Sequence, residues 1–540
     1  MFLLCPLRGI FVAALFTLTH STKNVVILVS LPFNSGLPID IVLNGPAFDL
    51  ASEMVNRKYG DHVRVKMEYF YNASHRTCDE VAAPMADRIA QYYYRNTTPT
   101  TCYAVVSTNC NDVTGITSLV KSYDWVTFSN VYVTNLFWGP SLQDRKSMPA
   151  VAMGATHLGY TRAVLDVLVR YGWYHFTVLV EPQGALPFYR DTAAALLQNV
   201  RSAPADQPFA MQLFTIEKLS DAIILRLLQT AKQTSRVLII SAIGATARSI
   251  MNMADAAGIA TGEYIFMVLQ SSQKDNRMFG TIKQFSVSSP ADDANLKAFR
   301  ALLYIVYRKA GHELADLNAE IVKRTKQSYN FTYDAAMDQP MDSFSSKSSY
   351  NMVEPLAIVV NESHIADRCS GMELANRMAN RTFDISTGKL RITADKAHEN
   401  DLNIFGFNYS TKQLQEIGKF EWTTNLWTWD ADRAVAWPTE DHKPPPDIPP
   451  CGFSGIDGQC GTRIKVTASA IPVAIIFILL FGLALFSRWY VIGSRPIENW
   501  WRIDEHLLSQ AVMHLQRKSS RALSHVISST YSNIGYTRHD

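Results

Sequence analysis

An excess of charge of either sign is missing from this chain. Its 51 Lys and Arg against 48 Asp and Glu leave a formal charge of +3, with the two signs interspersed. A nucleic-acid surface needs a clustered basic face, so nucleic acid is not an expected partner. Motifs that carry catalysis are missing as well. His312-Glu313-Leu314-Ala315-Asp316 approaches a zinc-protease signature but has no second histidine. ISTGKL lacks the first glycine of a phosphate-cradling loop, and CGFSGI misses the spacing of a nucleophile elbow. Cysteine is sparse, at 7 residues, and forms no Cys-x-x-Cys pair. We therefore expect no enzyme active site, no metal and no cofactor.

The segments that are present point outside the cell. MFLLCPLRGIFVAALFTLTHS has one basic residue, Arg8, then an apolar stretch and small residues near its end. Residues 1–21 read as a secretory signal peptide, too short to span a bilayer. A second apolar run, Val466–Phe486, contains no charge and matches the ~20 residues that a membrane-spanning helix needs. Pro472 is tolerable in such a helix. Arg488, Trp489, Tyr490 and Arg495 follow as an aromatic and positive flank suited to the cytoplasmic side. The reading is a type I, single-pass plasma-membrane protein with its span at residues 466–487 and a cytoplasmic tail at 488–540. Glycosylation triplets begin at Asn72, Asn96, Asn330, Asn361, Asn380 and Asn408, all before the span. Six cysteines remain once Cys5 leaves with the signal: Cys78, Cys102, Cys110, Cys369, Cys451 and Cys460. In an extracellular domain an even number reads as disulfides, and six allow fifteen pairings.

Between residues 22 and 437 short apolar runs alternate with amphipathic ones. VVILVSLPF, RVKMEYFY, YAVVST, FTVLVEP, MQLFTI, RVLIIS and YIFMVL read as strands. Helical spacing separates them at Gly45–Lys58, Glu80–Tyr94, Thr161–Tyr171, Arg190–Val200, Ala222–Lys232 and Ala247–Ala257. Continuous apolar strands alternating with helices imply parallel sheets covered on both faces. The expected fold is α/β, with two doubly wound lobes that switch near residue 150. Helical spacing is also read from Asp292 to Ala310 and on to Lys326. DSFSSKSSYN reads as a loop or frayed helix start, and Pro355 would break a helix running through it. GKLRIT and LNIFGFN read as late strands of the second lobe. Trp422, Trp427 and Trp429 read as packing residues, and the charges of Asp87-Arg88 and Glu320–Lys326 as solvated helix faces. Residues 438–465, with their run of prolines, form an extended juxtamembrane stalk.

PPPDIPPCGFSGIDGQC, NRTFDISTGKLRITADKAHENDLNIFGFN, RYGWYHFTVLV and RVLIISAIGATARSIMNMADAAGIATGEYIFMVL resemble the extracellular region of natriuretic peptide receptors and related receptor guanylyl cyclases. NWWRIDEHLL is similar to the start of their kinase-like region. The resemblance implies a type-I periplasmic-binding-protein fold that forms a homodimer and binds an extracellular peptide hormone or small molecule. It also implies disulfides Cys78–Cys110 and Cys451–Cys460, with Cys102 a rival partner for Cys78. Cys102 and Cys369 are additional to the family's set and could pair with one another or bridge two chains. The family's bound anion, a chloride, would lie at Asn109 and Cys110 in STNC, where the family's glycine is absent. Ala260 stands where the family has a second-lobe cysteine. No ligand-contacting residue carries over. The tail is too short for a catalytic domain, so the chain reads as the sensor part of a receptor cyclase cut near its kinase-like region, with a short-tailed clearance or decoy receptor as the alternative.

Overall fold

The first strand shows why the chain builds layers. In β1 (Lys23–Val29) the five residues Val25–Val29 are buried one after another, so both faces of the strand must be covered. Helix α1 (Ile41–Tyr59) follows, then β2 (Val63–Tyr69), α2 (Cys78–Asn96), β3 (Thr101–Ser107), α3 (Val113–Ser122), β4 (Val126–Ser129) and β5 (Ala150–Ala152). The five strands form one parallel sheet in the order β2-β1-β3-β4-β5. This is lobe 1.

Lobe 2 continues with α4 (His157–Tyr171), β6 (His175–Val180), α5 (Phe188–Arg201), β7 (Ala210–Thr215), α6 (Asp221–Lys232), β8 (Val237–Ser241), α7 (Gly244–Asn252), β9 (Ile265–Gln270) and β10 (Leu302–Tyr307). The chain then returns to lobe 1 as α8 (Ala315–Tyr329), α9 (Phe344–Asn351), α10 (Val353–Glu362), α11 (Gly371–Met378) and a hairpin of β11 (Arg381–Ile385) and β12 (Gly388–Ile392), all contributing to its core. It ends in lobe 2 with β13 (Leu402–Asn408), β14 (Gln413–Glu421) and β15 (Leu426–Trp429), which extend the sheet antiparallel to the order β15-β14-β13-β10-β9-β8-β6-β7. Three connections therefore join the lobes, near residues 153–156, 308–314 and 393–401.

In the computed structural model, residues 22–455 and 475–487 are described, apart from 36–38, 108–112, 131–145, 155, 182–187, 218, 272–296, 310–311, 335–338, 364–368, 409, 412, 434, 436 and 440. The chain divides into two compact units, Met1–Asp457 and Gly458–Asp540. Within the second unit residues 475–487 are helical and their apolar side chains are exposed, Phe477 at 70% and Ile478 at 71%. Residues 466–474 of the expected span lie outside the described residues. Among the described residues no helix is long and apolar enough to cross a membrane, because the described part of that run is shorter than the ~20 residues required.

Four elements differ from the sequence reading. LLYIVY is the central strand β10, not part of a helix, and all six of its residues are buried. A helix in the same place would need a polar face, and these residues offer none. The hairpin holding GKLRI packs Phe383, Ile385, Leu390 and Ile392 into lobe 1, not lobe 2. DSFSSKSSYN is chiefly helix α9, with Ser345, Ser346, Ser348 and Ser349 buried. Their hydroxyls are satisfied by Asn44, the Leu43 carbonyl, the Met153 carbonyl and the Ser345 carbonyl. The chain breaks at Met352 and restarts as α10, which puts Pro355 in the first turn, where a missing N–H costs nothing. Finally, the described part of the proline-rich segment lies against lobe 2, where Trp437 packs on Trp173 and Tyr171 and Pro438 abuts Gly262.

Candidate functional site: the interlobe cleft

In open parallel sheets ligands bind outside the carboxyl ends of the strands. Here both sets of carboxyl ends meet at the lobe junction. Tyr307 at the end of β10 contacts Phe344 of α9, ring centroids 5.9 Å apart, and Ser348 of α9 donates to the Met153 carbonyl just after β5. Ile39, in the loop after β1, joins the core cluster of lobe 2.

The walls are polar and already ordered. On lobe 2, Tyr189 Oη donates to Gln270 Oε1 at 3.0 Å, Gln270 Nε2 donates to the Ala242 carbonyl at 2.7 Å, and Ser241 Oγ to the Tyr189 carbonyl at 2.9 Å. Tyr160 Oη donates to the Ile305 carbonyl and accepts from the Gln270 N–H. On lobe 1, Asn130 Nδ2 donates to Ser349 Oγ, which in turn bonds Asn44. Asn130 Oδ1, at the end of β4, and Ser271 Oγ, at the end of β9, are buried without a hydrogen-bond partner among the described residues. Both residues lie within the packed walls, Asn130 at 0% and Ser271 at 2% exposure.

Helices that start at such an edge point their positive ends at the cleft and would take an anion. Among the described residues, three of those starts, at α1, α4 and α7, carry the chain's own carboxylates. Asp40 caps α1, Oδ1 accepting from Val42 N–H at 3.2 Å and Asn34 N–H at 2.8 Å, with Ser35 on Oδ2. Glu181 covers α7, accepting from Ile243 N–H at 3.1 Å and from the Thr246 hydroxyl at 2.9 Å. Glu399 accepts from the Thr156 hydroxyl at the start of α4, so close that a Cβ on Gly159 would meet its carboxylate at 2.3 Å. With these three ends neutralised, each is suited to uncharged or cationic groups more than to a free carboxylate.

His157 opens α4 with Nδ1 2.9 Å from Thr192 Oγ1, and burial lowers its pKa to about 3. The ring is neutral at any physiological pH and serves packing.

The residues singled out from the sequence divide between described and undescribed positions. Cys78 begins α2, with its side chain outside the described residues, as are Asn109, Cys110 and Cys460. The anion position expected at Asn109 and Cys110 is therefore not described. Cys102 of β3 pairs with Cys369 before α11, which removes Cys102 as a rival for Cys78. Cys451 is disulfide-bonded. Asn72, Asn96, Asn330, Asn361 and Asn380 are exposed, whereas Asn408 is half-buried with Nδ2 donating to Gln415. The three tryptophans pack on the lobe 2 core, Trp427 Nε1 donating to the Ala163 carbonyl. The carboxylate caps were missed by the sequence reading. Asp40, directly before an apolar helical run, carried a local capping signal. Glu399 did not, because its partner is 243 residues away.

Residues 44–410 match the family described as receptor family ligand binding region. The chain belongs to that family. Among solved structures it is similar to an ABC transporter substrate-binding protein from Desulfitobacterium hafniense in complex with Leu, at 13% identity, covering 73% of this chain and 100% of that one with a TM-score of 0.46.

Proposed function

We propose that this ligand-binding region is the extracellular sensor of a single-pass, type I plasma-membrane receptor of the receptor guanylyl cyclase type, working as a homodimer. The observation that carries the reading is the pairing of a family ligand-binding region with an apolar helix at 475–487 whose side chains are exposed. Exposed apolar side chains in an unbroken run suit lipid, not water. Its ligand is an extracellular peptide or small molecule held between the lobes. The carboxylate-capped helix starts favour a ligand that presents uncharged or basic groups there. Disulfides Cys78–Cys110 and Cys451–Cys460 and glycans at the exposed acceptor asparagines complete the reading.

Full-length chain with one epitope after residue 22 and another at the C-terminus tests the topology. Intact cells should stain for the first epitope alone; secretion of the chain, or staining of both epitopes, overturns the reading. The native protein then separates two forms. An ectodomain antibody that detects a band much heavier than 60.5 kDa after deglycosylation supports the cyclase form. A band near that mass moves the function to ligand clearance.

A further inference from the structure

A second cavity lies at the opposite, amino-terminal edge of the lobe 2 sheet, where the membrane-proximal segment docks. Its volume is about 590 Å³, and Gln229, Lys232, Gln233, Arg236 and Glu263 of lobe 2 line it together with residues of 449–455. Arg236 is the unusual member. Its side chain is only 7% exposed, and its Nε has no acceptor among the described residues. Its other contacts are long: Nη1 lies 3.5 Å from the Pro446 carbonyl and Nη2 3.3 Å from Glu263 Oε2. Glu263 is itself 59% exposed, so water screens much of the charge it offers. A guanidinium cannot discharge by losing its proton. A buried one with a spare donor is therefore a standing demand for an oxyanion. Lys232 adds a second cation, its Nζ making a 3.4 Å contact to the Gly258 carbonyl, and the two glutamine amides add neutral donors.

We infer that this cavity binds a phosphate-type oxyanion, held by Arg236 and Lys232, and that the bound anion pins residues 449–455 to lobe 2. The cavity holds far more than one water molecule, whose share of liquid volume is ~30 Å³, so a substituted phosphate fits as well as the free ion. The site is independent of the interlobe cleft and of whatever ligand the cleft takes. Two sources present this chemistry: soluble phosphate, and the headgroup of an anionic lipid near the membrane-proximal segment.

The test uses the full-length purified chain and amide hydrogen exchange of residues 451–455. Inorganic phosphate titrated onto protein in neutral-lipid nanodiscs should slow that exchange in a saturable way. Slowing only in nanodiscs that contain anionic phospholipid identifies the headgroup as the source. Lys232→Gln should weaken the response about tenfold, the loss of one charge-assisted hydrogen bond, and Arg236→Met should abolish it. Lys232 lies at the cavity rim, so its variant stays informative if Arg236→Met does not fold. Absence of protection with both phosphate and anionic lipid, or an equal response from wild type and Lys232→Gln, overturns the proposal.

Discussion

Removing the Asp447 carboxylate should free the proline-rich segment from lobe 2 while leaving both lobes folded. Asp447 Oδ1 accepts from the Tyr174 N–H at 3.0 Å and the His175 N–H at 2.9 Å, and Oδ2 lies 2.7 Å from His175 Nδ1. Its side chain is 15% exposed. In Asp447→Ala two backbone donors at the start of β6 lose an ionised acceptor. Hydrogen bonds to charged groups contribute about 1.5–3 kcal/mol each, and partial access of water makes the two less than additive. A net loss of about 3 kcal/mol is reasonable, which raises the local opening constant roughly 150-fold. The segment keeps the bond from Trp173 Nε1 to the Pro445 carbonyl at 2.8 Å and the packing of Trp437, so the release should be local.

Hydrogen exchange of the Tyr174 and His175 amides reads this directly. Both should exchange about two orders of magnitude faster in Asp447→Ala, with the amides of β8 and β9 unchanged. Asp447→Asn keeps one carbonyl acceptor and should fall between the two on a logarithmic scale. Unchanged exchange at Tyr174 and His175 would refute the clamp, and faster exchange throughout β8 and β9 would show that Asp447 stabilises the whole lobe.

Three further outcomes follow from packing and charge. A Cβ on Gly371 would lie 2.1 Å from the Trp125 carbonyl carbon and 2.4 Å from the Val126 nitrogen, both backbone atoms, so Gly371→Ala should cost ~2–3 kcal/mol in denaturant unfolding of lobe 1. Breaking the Cys102–Cys369 bridge, which spans 267 residues, with Cys102→Ser and Cys369→Ser should lower stability by about 4 kcal/mol, seen as an earlier denaturation midpoint under non-reducing conditions. Burial lowers the folded pKa of His157 to about 3 from the ordinary imidazole value of 6.5, so the unfolded chain binds more protons between those values. Stability should therefore be complete above pH 6.5 and fall as pH drops toward 3, and His157→Gln should flatten that slope in pH-dependent melting.

Much of the α/β alternation was legible because a doubly covered strand leaves an unmistakable apolar run. The runs in β1, β3, β6, β8 and β9 were placed within a few residues. LLYIVY failed because the helical period was carried through from Asp292 when six buried residues in a row should have stopped it. The serines of α9 failed for a different reason. Serine favours loops by bonding its own backbone, but here the hydroxyls serve a polar network between α1, α9 and Asn130 that only the assembled lobe supplies. The same holds for the cleft. A sequence shows that Glu181 and Glu399 are acidic, but not that Glu181 meets the start of α7 or that Glu399 meets the start of α4. The docked proline segment was read as an extended stalk because its partners, Trp173 and the amides at the start of β6, lie some 270 residues earlier.

Strand β6 links these features. Its first residue, His175, is held by Asp447 of the proline-rich segment, and Glu181, the residue after its last, caps α7 at the cleft. Six residues at ~3.3 Å each place the two ends about 20 Å apart along one buried strand. Such a strand, paired on both sides by β7 and β8, moves with its sheet and not independently. Any rigid-body closure of lobe 2 over a ligand therefore carries the Asp447 anchor, and with it residues 437–455, through the same rotation. Hinge closure needs no change inside either lobe, only in the three connections between them. In Asp447→Ala the cleft residues are untouched, so ligand should bind with wild-type affinity. Loss of affinity in that variant would instead place the clamp within the binding machinery.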